Sequence, residues 1–261
     1  MDIGILGCGT LGRAIAQGLR SHRSVERIAA TTRSQPARAK DLEEVVPVDS
    51  NRELASISDV VIVCVKPSQV EAVAREISHD LRPGALVVSA AAAISTEALQ
   101  QWTGGASPIV RAMPNMPARI GLGMTALAAG ANADASHLEL ARDLFATLGR
   151  VAVVEERLMD AVTGISGCGP AYVYLIVEAL AEAGVSLGLP RPVALELAGQ
   201  TLLGSAAMVL QTGIHPAALK DEVTTPAGCT IDGLLALESG GLRSTLVRAV
   251  TAAATRSAQL G

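Results

Sequence analysis

The sequence predicts an α/β fold: a doubly wound parallel sheet in the N-terminal part, followed by an all-helical C-terminal domain. Three observations predict it. From Ile3 to about Val154, short apolar runs of strand length alternate with segments of helical period. Beyond about Leu158 the apolar residues recur only at helical spacing, in long blocks. A glycine-rich turn joins the first strand to the first helix. The chain has 261 residues, enough for two modest domains, and the change of pattern divides it into 1–155 and 156–261.

In chain order, the strand Ile3–Leu6 is followed by a helix over Leu11–Arg20, and Arg27–Thr32 by a helix over Pro36–Val45. Val60–Val65 is continuously apolar, as a strand covered on both faces must be, and leads into the helix Gln69–Ile77. Leu86–Ser89 and Ile109–Ala112 continue the strand series, and the amphipathic stretch Ser136–Leu148 precedes a last strand, Val151–Val154. The helical blocks that follow are Ala171–Ala183, Pro192–Leu210 and Leu242–Leu260, broken by Gly188-Leu189-Pro190 and Thr225-Pro226-Ala227-Gly228. Their Ala, Leu and Val content makes these helices apolar on more than one face, so a second copy of the chain is expected to cover them. A homodimer is the expectation; packing within one chain is the alternative.

Composition excludes several classes of function. With Lys+Arg 21 against Asp+Glu 25 the net charge is −4, so no basic surplus exists to neutralise a phosphate backbone. One Trp, two Tyr and one Phe supply no base-stacking platform, and nucleic acid is not expected as a partner. The longest uninterrupted apolar runs, Val60–Val65 and Ala85–Ile94, fall short of the roughly 20 residues that span a bilayer, so no membrane partner is expected. Asp2 and a glycine motif beginning at Gly7 leave no space for a signal peptide, which makes a cytoplasmic location the expectation. Cys8, Cys64, Cys168 and Cys229 are far apart, and the four histidines lack ligand spacing, so neither a disulfide framework nor a metal site is expected.

Gly7-Cys8-Gly9-Thr10-Leu11-Gly12 is a G-x-G-x-x-G turn between a strand and a helix, the setting in which it binds a dinucleotide. The first glycine permits the tight turn, the second lets the backbone approach a pyrophosphate, and the third allows close helix–strand packing. The helix N-terminus then faces the anion with its N–H groups. This makes the sheet Rossmann-type. Where an enzyme using NAD carries Asp or Glu for the ribose 2′-hydroxyl, this chain has Thr31-Thr32-Arg33-Ser34, with no carboxylate until Asp41. A guanidinium and hydroxyls suit a 2′-phosphate, so NADP(H) is favoured over NAD(H), with Thr32, Arg33 and Ser34 as its partners.

At Ser166-Gly167-Cys168-Gly169-Pro170-Ala171-Tyr172 the chain resembles the pyrroline-5-carboxylate reductase family, whose pattern there is S-G-S-G-P-A-Y. The resemblance extends through His215-Pro216, Leu219-Lys220-Asp221 and Val223-Thr224-Thr225-Pro226-Ala227-Gly228-Cys229-Thr230-Ile231. In the first half it includes Val65-Lys66-Pro67, Arg111-Ala112-Met113-Pro114-Asn115 and Pro117-Ala118, so it covers essentially the whole chain. It implies a Rossmann domain plus a helical domain that interlocks with its twin, each active site drawing on both chains, and dimers that can assemble further. It also implies hydride transfer from NADPH or NADH to the cyclic imine of 1-pyrroline-5-carboxylate, giving L-proline.

The resemblance implies roles residue by residue. Asn51, Val65, Lys66, Pro67, Ala92 and Asn115 match positions that hold the dinucleotide, and Thr225, Gly228, Cys229 and Thr230 match the turn that holds the substrate carboxylate. Successive N–H groups where that turn opens a helix, here Ile231–Leu237, suit a carboxylate. Thr230 matches a hydroxyl beside the imine nitrogen, a hydrogen-bonding and proton-relaying role that a helix N-cap hydroxyl could hold at the same time. Four residues depart from the family pattern: Cys168 and Cys229 replace small or hydroxyl residues, and Ala227 and Ala93 replace glycines. A related cyclic imine as substrate therefore stays open.

Two rivals are weighed beside this reading. A β-hydroxyacid dehydrogenase needs a lysine on the long helix after the sheet, and Ala171–Ala183 has none; its Glu178 and Glu182 are spaced as a solvated or interfacial pair. A non-catalytic regulator that binds NADP needs only Gly7–Gly12, and the retention of Thr230 with its turn speaks against it.

Overall fold

The computed structural model describes residues 1–31, 45–226 and 228–260. The expected helix Pro36–Val45 lies outside the described residues except for its last position, and Val45 belongs to a strand. Eight strands form one sheet: β1 Asp2–Leu6, β2 Arg27–Thr31, β3 Val45–Pro47, β4 Val60–Val63, β5 Leu86–Ser89, β6 Ile109–Met113, β7 Gly123–Ala129 and β8 Gly149–Val153. Their order is β3-β2-β1-β4-β5-β6-β7-β8, so the chain winds outward from β1 in both directions and leaves a switch point between β1 and β4.

Helices α1 Thr10–Leu19, α2 Asn51–Ile57, α3 Pro67–Ile77, α4 Thr96–Trp102 and α5 Ala135–Ala146 cover the sheet. Under α1 and α5, Ile3, Ile5, Ile62, Val88 and Val110 pack against Ile15, Leu19 and Phe145. On the opposite face Leu6, Val61, Val63 and Val87 pack against Leu54, Val70, Ala74 and Leu99 of the other helices. Strands buried on both faces have no polar side to show, which is why β4 and β5 read as unbroken apolar runs.

All strand pairs are parallel except β6 with β7. The sequence reading has no strand at β3 or β7 and expects a parallel sheet throughout. Two causes account for the difference. β3 is three residues long and ends in proline, and β7 is Gly-Met-Thr-Ala-Leu-Ala-Ala, with little of the β-branched or aromatic content that marks a strand. Only a short 3-10 turn, Met116–Ile120, joins β6 to β7, and a connection of that length returns the chain alongside itself instead of crossing over the sheet.

After β8 come a 3-10 turn Glu156–Leu158, the short helix α6 Met159–Val162 and a π-helical turn Thr163–Gly167. The long helices follow: α7 Gly169–Ser186, α8 Arg191–Thr212, α9 Pro216–Glu222, α10 Cys229–Ser239 and α11 Leu242–Ala258. Two compact units result, Met1–Cys168 with Thr251–Gly261, and Gly169–Val250. Within the first, Ser257 at the end of α11 donates to Asp160 of α6 at 2.7 Å.

Within the second unit α7 and α8 pack on each other, yet Ala181 is the buried residue of α7, and Ala194 and Ala198 those of α8. Leu175 is 66% exposed and Leu210 55%. Residues 156–186 and Arg191–Thr212 are also long and apolar enough to cross a membrane by length and composition. That corrects the count of uninterrupted runs: Gly, Ser and Thr interrupt the runs without lowering the average much. Glu178, Glu182 and Glu196 lie within these two segments.

Candidate active site

Most of the expected dinucleotide residues gather at one edge, beyond the carboxyl ends of the strands. Gly7 and Cys8 both donate backbone N–H groups to the carbonyl of Thr31 at the end of β2, at 3.1 and 3.0 Å. Gly7 has φ +95°, and a Cβ there would lie 2.8 Å from Val65 Cγ1, so the first glycine is demanded by both conformation and contact. A Cβ on Gly12 would collide with the carbonyl of Gly7. Gly9 differs: a Cβ there meets nothing within 4 Å, and Thr10 beside it is exposed. No side chain caps α1, whose N-cap is Gly9 itself. An open backbone cradle at an uncapped helix start fits a diphosphate.

The remaining cofactor candidates lie around this loop in different ways. Leu11 is half-buried, its neighbour Cys8 is buried, and Val65 backs the turn. Lys66 and Pro67 are exposed at the N-cap and first position of α3, and Ala92 is half-buried in the turn after β5. The next residue, Ala93, has φ +64°, the left-handed region that favours glycine. Thr32, Arg33 and Ser34 lie outside the described residues.

Asn51 and Asn115 are committed to the protein's own groups. Asn51 accepts from the Thr31 hydroxyl at 2.7 Å and donates to Glu76 at 2.9 Å, tying the end of β2 to α3. Asn115 donates to the carbonyl and hydroxyl of Ser166 at 3.1 and 3.3 Å and accepts from the Met124 backbone N–H at 2.9 Å. It fastens the end of β6 both to β7 and to the π-helical turn.

A cluster that the sequence reading did not single out adjoins the turn carrying Ala92. Glu156 accepts from the Thr96 backbone N–H at 2.7 Å and from its hydroxyl at 2.5 Å, at the start of α4. It also lies 3.6 Å from Arg111 of β6, whose side chain is 7% exposed. The other terminal nitrogen of Arg111, Nη2, is buried with no hydrogen-bond partner among the described residues.

In the second unit, Gly228 N–H donates to the Thr225 carbonyl at 3.0 Å, closing the expected anion turn. A Cβ on Gly228 would strike the Thr225 hydroxyl. The helix begins at Cys229, earlier than the expected Ile231, with Gly228 in extended conformation as N-cap. Thr230 is therefore not the cap. It is the second helical residue, half-buried, and its hydroxyl makes no hydrogen bond with a described residue.

The thiols differ in environment. Burial pushes the Cys8 thiol up, partly countered by the Arg13 charge. Burial and the neighbouring Cys8 push the Cys64 thiol up to about 12. Cys168 is half-buried and Cys229 exposed. Among the described residues no group of three or more His, Cys, Asp or Glu could hold a metal.

A glycine cradle at the switch point of a Rossmann-type sheet, joined to helices whose apolar faces one chain leaves open, defines a dinucleotide-dependent oxidoreductase with a helical dimerisation region. Residues 2–93 match the family "NADP oxidoreductase coenzyme F420-dependent", and residues 156–260 match "Pyrroline-5-carboxylate reductase dimerisation". The pyrroline-5-carboxylate reductase of Glycine max is 43% identical over 99% of this chain and 95% of its own length. A solved structure of a pyrroline-5-carboxylate reductase from Coxiella burnetii is 36% identical, with TM-score 0.91, covering 99% of this chain and 98% of that one. The Plasmodium falciparum pyrroline carboxylate reductase structure, with NADP bound, is 32% identical with TM-score 0.90, covering 100% and 98%. The chain belongs to the pyrroline-5-carboxylate reductase family.

Proposed function

We propose that this chain reduces the cyclic imine 1-pyrroline-5-carboxylate to L-proline, with NADPH favoured over NADH as the donor. The observation that carries the reading is full-length similarity to named reductases of this imine, together with an intact glycine cradle and an intact carboxylate turn. The dinucleotide, when bound, supplies the hydride. The chain's own residues bind and orient. The turn Gly7–Gly12 holds the diphosphate against the N–H groups of Thr10, Leu11 and Gly12 at the start of α1, with Val65 behind the turn and Lys66, Pro67 and Ala92 along the same edge.

The substrate is an imine carrying a carboxylate. N–H groups of Cys229 and Thr230, at the start of α10 and after the Thr225–Gly228 turn, face its negative charge. The uncommitted Thr230 hydroxyl orients the imine nitrogen. A protonated imine already carries its proton and is the stronger hydride acceptor, so a poor acid suffices at this position.

Preference for NADPH rests on Arg33 with Thr32 and Ser34 where an acid would serve NAD. Residues 1–155 form the dinucleotide-binding part and 156–261 the substrate-binding and dimerisation part, which the family matches to 2–93 and 156–260 support. The functional form is a homodimer, able to assemble further, acting in the cytoplasm. Consumption of the reduced nicotinamide with pyrroline-5-carboxylate tests the reading, run beside a panel of other cyclic imine carboxylates. Turnover confined to another ring would shift the substrate to a related imine, in line with the departures at Cys168, Cys229, Ala227 and Ala93. Tight NADPH binding with turnover of none would make the chain a regulator.

A further inference from the structure

The turn from Ala90 to Ser95 joins β5 to α4 at the carboxyl edge of the sheet, and in the strand order β1 and β4 separate it from β2. In a doubly wound sheet the strands on either side of the switch point serve the two halves of a dinucleotide. With Arg33 following β2 on the adenosine side, this turn belongs to the nicotinamide side. It is fastened at both ends. On the strand side the Ala90 N–H donates to the Val63 carbonyl at 2.9 Å, and the Ala91 N–H to the hydroxyl of buried Ser89 at 3.4 Å. On the helix side Glu156 takes both donors of Thr96. A Cβ on Gly130 would lie 3.0 Å from the Thr96 Cβ, so Thr96 has no room to shift toward the end of β7. Between these points Ala93 holds φ +64°, a strained conformation for a residue with a side chain, and one that persists only where the surroundings over-determine it.

Glu156 is itself held in place. It opens the segment 156–167, and alternate residues at the end of β6 fix that segment. Arg111 lies 3.6 Å from Glu156, Met113 packs in a cluster with Met159 and Val162, and Asn115 bonds to Ser166. A Cβ on Gly167 would strike Met113 Cε. The pair of Arg111 and Glu156 is a poor device for stability: the guanidinium is 7% exposed, the contact is long, and Nη2 has no hydrogen-bond partner among the described residues. Burying a guanidinium with a donor unanswered costs free energy that a well-packed apolar pair would not. What the pair does supply is a carboxylate of fixed position and charge at the helix end of the turn.

We propose that Glu156, fixed by Arg111, is a positioning residue for hydride transfer: through Thr96 it holds the strained Ala90–Ser95 turn in the shape against which the nicotinamide ring rests. This rests on the reductase reading given above and extends it to residues that touch neither cofactor nor imine. The adenosine half of the dinucleotide, on the other side of the switch point, is outside its reach. A turn released at Thr96 lets Ala93 relax and the ring shift, and hydride transfer falls steeply with small displacements.

Three measurements on the purified enzyme test this: kcat and KM with the imine, the Kd of adenosine 2′-phosphate by calorimetry, and the nicotinamide fluorescence of bound NADPH without imine. Glu156→Gln should lower kcat about tenfold, leave the Kd of adenosine 2′-phosphate within about twofold, and move the fluorescence of bound NADPH toward that of the free dinucleotide. Thr96→Val, which removes the hydroxyl donor and leaves the ion pair intact, should lower kcat about threefold. Ala93→Gly should recover part of the loss in Glu156→Gln, by a larger factor than it changes kcat in the wild type, because glycine adopts the left-handed conformation without the acid's help. A merely structural role for Glu156 predicts no such coupling. Thermal unfolding checks that each variant is folded. Unchanged kcat in folded Glu156→Gln, a matching loss for adenosine 2′-phosphate, or an Ala93→Gly effect of the same factor in both backgrounds would each overturn the proposal. A wild type that binds NADPH yet reduces no imine would instead overturn the reductase reading, and the fluorescence comparison would then decide the role of the turn.

Discussion

Glu156 is the most informative single position outside the cofactor loop, because one carboxylate serves two elements of the sheet layer. Glu156→Ala removes both hydrogen bonds to Thr96 at the start of α4 and leaves Arg111 without the acid 3.6 Å away. A hydrogen bond to a charged group contributes roughly 1.5–3 kcal/mol, and breaking a fully buried ion pair costs about 3–5 kcal/mol. Both figures need discounting here, since the Glu156 side chain is 28% exposed and the Arg111 contact is long. The expected loss is about 3 kcal/mol for Glu156→Ala. Glu156→Gln keeps an acceptor for Thr96 but not the charge, and should lose about half as much. At roughly 2 °C per kcal/mol for a chain of this size, the alanine variant should melt about 6 °C lower. Urea unfolding at fixed protein concentration measures the loss directly, since a dimer's apparent stability depends on concentration. A Glu156→Ala protein within about 0.5 kcal/mol of the wild type would refute the reasoning, because that is the scale of an ordinary surface change. The same variant should also weaken dinucleotide binding, as the turn carrying Ala92 and Ala93 leads directly into α4.

Three further outcomes are expected. Arg33→Asp should weaken NADPH use far more than NADH use, because it replaces a phosphate partner with a like charge; equal loss with both, measured as kcat/KM, would refute the assignment. Mixing inactive Gly9→Glu with inactive Thr230→Val should restore part of the activity if each active site draws on two chains, whereas heterodimers without recovered turnover would place the whole site in one chain. Alkylation near neutral pH should modify Cys229 before the other thiols and abolish imine reduction, with proline slowing both. Cys229 is exposed at a helix start, while burial raises the Cys8 thiol and takes Cys64 up to about 12, so their thiolates form only as pH climbs. Mass spectrometry showing Cys229 unmodified after activity is lost would reject this, and Cys229→Thr should keep activity without the sensitivity.

Sheet and loop were legible in the sequence because both are written in local pattern. β1, β4 and β5 are apolar runs bounded by breakers, and in the glycine turn Gly7 and Gly12 are demanded by conformation and close contact while Gly9 leaves open space. What escaped has a physical reason too. β7 is made of small residues that become a strand because β6 and β8 flank it, a tertiary cause with no local trace. Asparagine announces hydrogen bonding but not its partner, so beside the expected dinucleotide role of Asn51 and Asn115 their bonds to Thr31, Glu76, Ser166 and Met124 were not legible. Glu156 and Thr96 are 60 residues apart, and no spacing rule links them to Arg111.

The helical region was legible in a different sense, through what its sequence fails to do. A helix on the surface of a soluble domain carries one apolar stripe and one polar face. α7 is instead apolar over most of its circumference, and within one chain it buries Ala181 while Leu175, Leu180 and Tyr174 stay exposed. Fully burying a side chain of leucine size contributes about 1.5–3 kcal/mol, so leaving these three partly exposed forfeits several kcal/mol, a large share of a domain's usual net stability of about 5–15 kcal/mol. The match of residues 156–260 to a dimerisation family names the remedy, a second chain laid against these faces. On that reading dilution should weaken this region before the sheet, which is covered on both sides by helices of its own chain; a helical region that keeps its stability on dilution would refute it.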